Sequence, residues 1–423
     1  MARTPPFVII GCGIVGVLTA YALAKRGKSV CVVDRASQPA QMCSYANAGI
    51  LAVGHAKSWA GPGAIGSIGR AMFGHEPGVK VTRLADPALL RWGASFLVHC
   101  SHKAHLSNTA KLQKLSRYSR DLTKSIEADL GLTPELRHDG GLYLFQDEAQ
   151  FAAYSSALER SGEGGFQVLG RQDLIAREPS LAGRADQFAG GIFSPYDSVG
   201  DCRLFASRVA TALTEKFDVN FQFETNVSGF ERRANGIRAV LTDTGPIPAE
   251  AVILTTGADT PALMRPLGVA PHIYPVKGYS GSWRILDDAR IPTLPFVDET
   301  ALMAVAAYGG QLRVTALAEF AGFDRSLPDD RTALLRDYVA CTFGDAVDAD
   351  SAGFWSGLRP STPAGPPYLG RIRKFENLWI NAGHGQLGWT MAAGCADLIA
   401  ERITGQDVDV EGVSATARWL EEI

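Results

Sequence analysis

FVIIGCGIVGVLTAYALAKRGKSVCVVD, residues 7–34, reads as one strand–turn–helix–strand unit. Phe7 to Ile10 is a short all-apolar strand, and Gly11, Gly13 and Gly16 form G-x-G-x-x-G. The following helix carries Val17, Ala20, Tyr21 and Ala24 on one face, Gly27 ends it, and Ser29 to Val33 is the next buried strand. Gly11 makes the tight turn. Gly13 has no side chain to block a pyrophosphate at the helix N-terminus, and Gly16 lets helix and strand pack closely. Asp34 stands about 20 residues past the glycines, where a carboxylate accepts hydrogen bonds from an adenosine ribose. The acid disfavours a 2′-phosphate, with Arg35 beside it as the one opposing charge.

The chain has 423 residues, enough for two domains or one with large insertions, and a formal net charge of −3. That balance points to neither nucleic acid nor an acidic tail. Seven cysteines without a C-x-x-C suggest neither a disulfide framework nor a zinc site, which fits a cytoplasmic protein. The start, MARTPP, lacks a signal-peptide pattern, and no uncharged apolar run reaches the ~18 residues of a membrane span.

Further along, Ser44 to Ile50 (SYANAGI) is small and polar, suited to a backbone lying close to a ligand. Residues 54–69, GHAKSWAGPGAIGSIG, read as a loop over a site or as an irregular connection. Asp86-Pro87 starts a helix. A long helix runs from about Ala104 to Leu130, with Leu112, Leu115, Tyr118, Leu122 and Ile126 on one face. Lys103, Lys111, Lys114, Arg117, Arg120 and Lys124 lie opposite; they read as a solvated face, with attraction to anionic lipid or a partner as the alternative. His99, His102 and His105 recur every third residue, but no acid or cysteine accompanies them, so no metal site is expected.

Strands are expected at Gly140–Phe145, Gly190–Phe193, Val219–Phe223, Val227–Glu231, Ile237–Thr242 and Ala251–Leu254, and helices at Glu148–Gly162 and from Asp201 through Leu213. Residues 272–320 alternate as antiparallel sheet with a hairpin at Gly309-Gly310. A helix follows at Asp329–Thr342, then a strand at Leu378–Asn381 and a final helix to about Ile403. Parallel-sheet elements thus sit at the start, middle and end, with antiparallel elements between. The implied α/β fold is a Rossmann-like nucleotide-binding domain (1–85, 200–265, 350–423) with an inserted antiparallel-sheet substrate domain (86–199, 266–349).

Five stretches, GCGIVGVLTAYALAKRG, SYANAGI with GHAKSWAGPG, YPVKGYS, FWSGLRPSTPAGPPYLGR and NAGHGQLGWTMAAG, span nearly the whole chain. In them the chain resembles the flavin-dependent D-amino-acid dehydrogenases, within the wider D-amino-acid oxidase, glycine oxidase and sarcosine oxidase group. The resemblance implies non-covalent FAD. It puts the pyrophosphate on Gly11, Gly13 and Gly16, with Ile14 and Val15 between them, and the ribose end on Asp34 and Arg35. The isoalloxazine side falls on Ser44, Asn47, Ala48, Gly49 and Ile50, and the adenine side on Val227. Gly257 matches the glycine after the middle strand. Gly383, His384, Gly385, Leu387, Gly388, Trp389 and Thr390 would approach the pyrimidine end of the ring, where helix N–H groups hold negative charge.

Arg359 would bind the substrate carboxylate through two parallel hydrogen bonds, and His55, Tyr279 and Tyr308 are pocket candidates. Two departures stand out. His55 lies where relatives often carry Tyr, and Thr315-Ala316 stand near a usual glycine pair. These open the substrate to D-proline, hydroxyproline or an opine-like amino acid. The implied reaction is oxidation of a D-amino acid to its imino acid, with electrons leaving to a quinone or respiratory acceptor and contact with the inner face of the cell membrane. The alternatives are an oxidase that uses oxygen, and one subunit of a heteromeric opine or hydroxyproline dehydrogenase that needs a partner subunit.

Overall fold

The computed structural model describes residues 5–72, 78–132, 136–161 and 164–405. The opening MART, Gly162 at the expected helix end, and the part of the 350–423 segment beyond 405 lie outside the described residues.

Phe7–Ile10, Val30–Val33 and Ala251–Leu254 are buried at every position, the signature of strands covered on both faces. They form the centre of a six-stranded sheet in the order Asn220–Gln222, Val30–Val33, Phe7–Ile10, Ala251–Leu254, Leu378–Ala382, Tyr368–Arg371. All pairs are parallel except the last. Helices Ile14–Lys25, Cys202–Phe217 and Gly388–Thr404 share an apolar core on one face, with Val17, Phe205 and Met391 fully buried. A three-stranded meander, Val227–Arg233, Gly236–Thr242 and Gly245–Pro248, shares a second core with the other. Its third strand, Gly245–Pro248, lies between the expected strands Ile237–Thr242 and Ala251–Leu254.

The second sheet has nine strands. Gly353–Ser361, Tyr274–Arg284, Gln311–Phe320, Met303–Tyr308 and Phe296–Asp298 run antiparallel in that order. Gly141–Phe145 pairs parallel with Phe296–Asp298, and Val79–Val81 pairs parallel with the end of Gln311–Phe320. The inserted sheet is therefore mixed. Gly309 and Gly310 both have positive φ, +57° and +72°, as a tight two-residue hairpin demands.

Three segments depart from the expected organisation. The strand Gly353–Ser361, expected with the nucleotide-binding part, is an edge of the large sheet, because its backbone pairs with Tyr274–Ser282 over nine residue pairs. Helix His102–Leu130, expected with the substrate part, lies on the final helix, because Leu112, Leu115 and Ile126 complete that helix's apolar core. Within 54–69, where loop or irregular chain was expected, helix Ala64–Met72 begins. Of the basic residues on the long helix, Arg117 and Arg120 lie over the ring of Tyr196 at 5.2 and 5.3 Å.

Candidate active site

A cavity of about 1390 Å³ runs from the first glycine turn, across the end of the six-stranded sheet, to the face of the nine-stranded one. It exceeds the ~300–1,000 Å³ typical of small-molecule pockets, leaving room for a dinucleotide and a substrate together.

At the glycine-turn end, Gly11, Gly13, Ile14, Val15, Asp34 and Arg35 all line the wall. Gly11 has φ +105°, and a Cβ there would lie 2.8 Å from the Thr255 carbonyl oxygen. A Cβ on Gly16 would sit 1.9 Å from the Gly11 oxygen. Gly16 is therefore a packing glycine behind the wall. Ser44 Oγ accepts from Ile14 N at 3.1 Å, so its hydroxyl already sits on the helix N-terminus. The Asp34 carboxylate accepts from the backbone N–H groups of Cys12 and Ala36, which fixes its orientation. Arg35 pairs with Asp259 at 2.8 Å. Val227 lines the cavity beside Thr225 and Asn226, and Gly257 lines it where the middle strand ends.

In the middle, Asn47, Ala48 and Ile50 line the wall. Asn47 Oδ1 accepts from Gly49 N at 3.0 Å and the Asn47 carbonyl accepts from Arg313 at 3.2 Å. Gly49 has φ +71°, and a Cβ there would meet the Tyr308 ring at 2.3 Å. Tyr308 is thus a buttress behind Gly49, and neither lines the cavity. Across from them His384, Gly385, Leu387, Gly388 and Trp389 line it, while Gly383 and Thr390 do not. Thr390 Oγ1 accepts from Ala52 N at 3.1 Å and ties the last helix to the Ile50 segment. Burial lowers the His384 imidazole to about 3, so it is neutral at ordinary pH.

At the far end the floor is the large sheet. Arg359 leans from its edge strand over Gly278 and donates from Nη1 to the Leu317 carbonyl at 2.7 Å. Leu317 has φ +68°, at a register shift between Tyr274–Arg284 and Gln311–Phe320. A bulge of this kind re-aims a backbone group at sites where chemistry is done. Among the described residues no acid pairs with Arg359. Tyr279 also lines the cavity, but its hydroxyl donates to buried Glu319. His55 lines it too, with Nε2 3.0 Å from Glu299 Oε1 and its ring stacked on Tyr143 at 5.4 Å.

The sequence reading missed Glu299, Arg325, Trp59 and Trp355 on this wall. Glu299 was findable as the acid just past a strand. Arg325 sits in a turn that only the tertiary fold brings to the cavity.

Besides Glu299 Oε1, which faces His55 Nε2, three residues of the wall keep a buried polar atom that has no hydrogen-bond partner: Asn381 Oδ1, His384 Nε2 and Trp389 Nε1. An unpaired buried polar atom costs about 1–3 kcal/mol, so such a group is explained by a polar ligand. An acceptor, an imidazole nitrogen and an N–H donor together suit a flat heteroaromatic ring with its own carbonyls and N–H, as in an isoalloxazine. The glycine turn and the helix N-terminus of Ile14 suit the pyrophosphate.

Residues 7–402 match the family described as DAO, FAD dependent oxidoreductase. The chain belongs to this family. It is 36% identical over 410 residues to D-amino acid dehydrogenase 2 of Mesorhizobium japonicum, covering 96% of this chain and 98% of the relative. It is 39% identical over 407 residues to a D-amino acid dehydrogenase of Cereibacter sphaeroides, covering 96% and 93%. Its fold matches glycine oxidase from Geobacillus kaustophilus with a TM-score of 0.75 at 21% identity, over 99% of this chain and 98% of that one. FAD is the cofactor of this oxidoreductase, and the donor set on the cavity wall fits it.

Among the described residues no three His, Cys, Asp or Glu side chains converge as a metal site. His105 Nδ1 lies 2.9 Å from the Ala60 carbonyl oxygen. The seven cysteines are free. No helix among the described residues is long and apolar enough to cross a membrane.

Proposed function

We propose that this enzyme oxidises a D-amino acid at its Cα–N bond and passes the electrons to a quinone or another respiratory acceptor. The observation that carries the substrate class is Arg359, a cation on the cavity wall with no acidic partner among the described residues and one arm already fixed by Leu317. A guanidinium held by one nitrogen still offers a two-donor edge to a carboxylate. The names borne by relatives of matching length support the D configuration.

Bound FAD supplies the hydride acceptor. The chain's own residues bind and orient. The glycine turn, Asp34 and Val227 would hold the nucleotide half, and Asn381, His384 and Trp389 the ring. Arg359 fixes the carboxylate, and the sheet floor fixes the Cα–H direction; orientation of this kind is a large share of catalysis without a protein nucleophile. His384 stays neutral because burial opposes its charge, so it offers one hydrogen bond without adding a cation.

An apolar rim at the cavity mouth supports an apolar acceptor. Leu84, Leu90 and Leu97 line the cavity and are 51%, 59% and 52% exposed, and Leu90 and Leu97 share helix Pro87–Val98 with exposed Val98. The two sheets suggest the division of labour: the six-stranded one carries the nucleotide, the nine-stranded one the substrate.

The test is Arg359→Ala against Arg359→Lys. Loss of a paired charge contact predicts a fall in kcat/KM for D-amino acids worth about 2–5 kcal/mol in Arg359→Ala, with Lys recovering only part. An Arg359→Ala enzyme that keeps full kcat/KM would remove the carboxylate role.

A further inference from the structure

The floor of the substrate end carries small residues beside the larger Tyr279, Leu302 and Thr315. Gly278, Ala304, Ala316 and Gly357 line it and leave a groove across the strands. Two charged groups stand at its ends. One is Arg359, whose tip reaches the Leu317 carbonyl, two strands in from its own. The other is Glu299, the one carboxylate on this sheet face among the described cavity residues. Register places them in one row. Asp298 pairs with Met303, and Met303 with Ala316; Leu317 is the next residue along its strand, and Glu299 is the first residue of the turn that follows Asp298. Two interstrand steps of about 4.8 Å then separate Glu299 from the carbonyl that holds Arg359, a span on the order of 10 Å. That is the reach of a basic amino acid laid along the floor.

The far end has capacity for a cation. Two acids stand there, Glu299, partly buried, and Asp197, buried, and Asp197 accepts from Tyr143, Ser194 and the Gly54 amide. The cations facing them are Lys57, whose ammonium lies 3.7 Å from the Tyr154 ring centroid, and the His55 imidazole. His55 meets Glu299 at Oε1, and among the described residues no hydrogen bond or ion pair is formed at Oε2. His55 Nε2 at 3.0 Å holds the Glu299 carboxylate in place, and Tyr143 holds the His55 ring. We propose that Glu299, positioned by His55, is a second anchor that binds a cationic group at the end of the substrate side chain while Arg359 holds the carboxylate. The enzyme then selects D-amino acids with basic side chains. This deepens the D-amino-acid reading and rests on it.

Two comparisons test it on the holoenzyme. The first is kcat/KM for D-lysine against D-norleucine, which share chain length but not charge, in wild type and in Glu299→Gln. Wild type should prefer D-lysine by about tenfold or more, and Glu299→Gln should erase most of that ratio, as expected for one charge-assisted hydrogen bond. The second is calorimetric binding of 6-aminohexanoate against hexanoate, neither of which has an α-amine to oxidise. The amine should tighten binding by about tenfold. Equal handling of D-lysine and D-norleucine by wild type, or a ratio unchanged in Glu299→Gln, overturns the anchor while leaving D-amino-acid oxidation intact. If no D-amino acid is oxidised, that broader reading fails, and the calorimetric pair still decides the anchor. Equal binding of the two acids overturns it even if Glu299→Gln does not fold.

Discussion

Gly278→Ala separates the position of Arg359 from its charge. A Cβ at 278 would stand 2.4 Å from Arg359 Cζ and Nη2 and 2.8 Å from Nη1. Carbon and nitrogen rest at about 3.5–4.0 Å, so the guanidinium must move by more than ~1 Å. It is the free end of a flexible side chain, so the fold absorbs the change, at about 1 kcal/mol or a little more. The site does not absorb it. Moving a substrate-positioning group by about 1 Å costs on the order of 10²-fold, or ~2.7 kcal/mol of transition-state stabilisation. The assay is kcat/KM for the best D-amino acid, with flavin content and the urea unfolding midpoint measured on the same preparation. Expected are full flavin content, a midpoint close to wild type, and kcat/KM down by about a hundredfold. A Gly278→Ala enzyme within about threefold of wild type would refute the claim that Arg359 must sit where it does.

Other perturbations give separable outcomes. Gly16→Ala places a Cβ 1.9 Å from the Gly11 oxygen, which is backbone and cannot swing away, so the variant should lose FAD and fold poorly, read by flavin absorbance after desalting. Asp324→Asn takes the counter-charge from Lys277, whose side chain is fully buried; Asp324 is 39% exposed, so the cost should be about 2–3 kcal/mol, below that of a fully buried pair, read by urea unfolding. His384 protonates near 6.5 when unfolded and only near 3 when folded, so the folded state binds fewer protons. Its contribution is complete above about pH 6.5 and is lost toward pH 3, at up to ~1.4 kcal/mol per unit; His384→Gln should flatten that part of the stability–pH curve.

The glycine-turn end of the cavity was legible because its constraints are local. Gly11, Gly13, Gly16 and Asp34 act through backbone shape and one carboxylate, within a single strand–helix–strand unit. The substrate half was legible only in part because its residues meet through register. Nothing near Arg359 in sequence says that its guanidinium crosses Gly278 to reach Leu317, or that Glu299 shares that row. Tyr308 read as a pocket aromatic because it ends a sheet strand, but side chains alternate along a strand, and its ring went to Gly49. In Gly353–Ser361, Gly357 and Pro360 weaken the strand signal; pairing with Tyr274–Ser282 overrides that propensity. Helix Ala64–Met72 was hidden by its glycines at 66 and 69.

The central claim is that this flavoprotein takes its electrons from a D-amino acid bound through Arg359. Anaerobic bleaching of the purified holoenzyme tests it most directly, with D- and L-enantiomers offered separately, followed by a quinone and then air. Bleaching by D-enantiomers alone, lost in Arg359→Ala and reversed by quinone faster than by air, is the predicted result. Bleaching by L-enantiomers, or by D-enantiomers equally well without Arg359, would contradict the account.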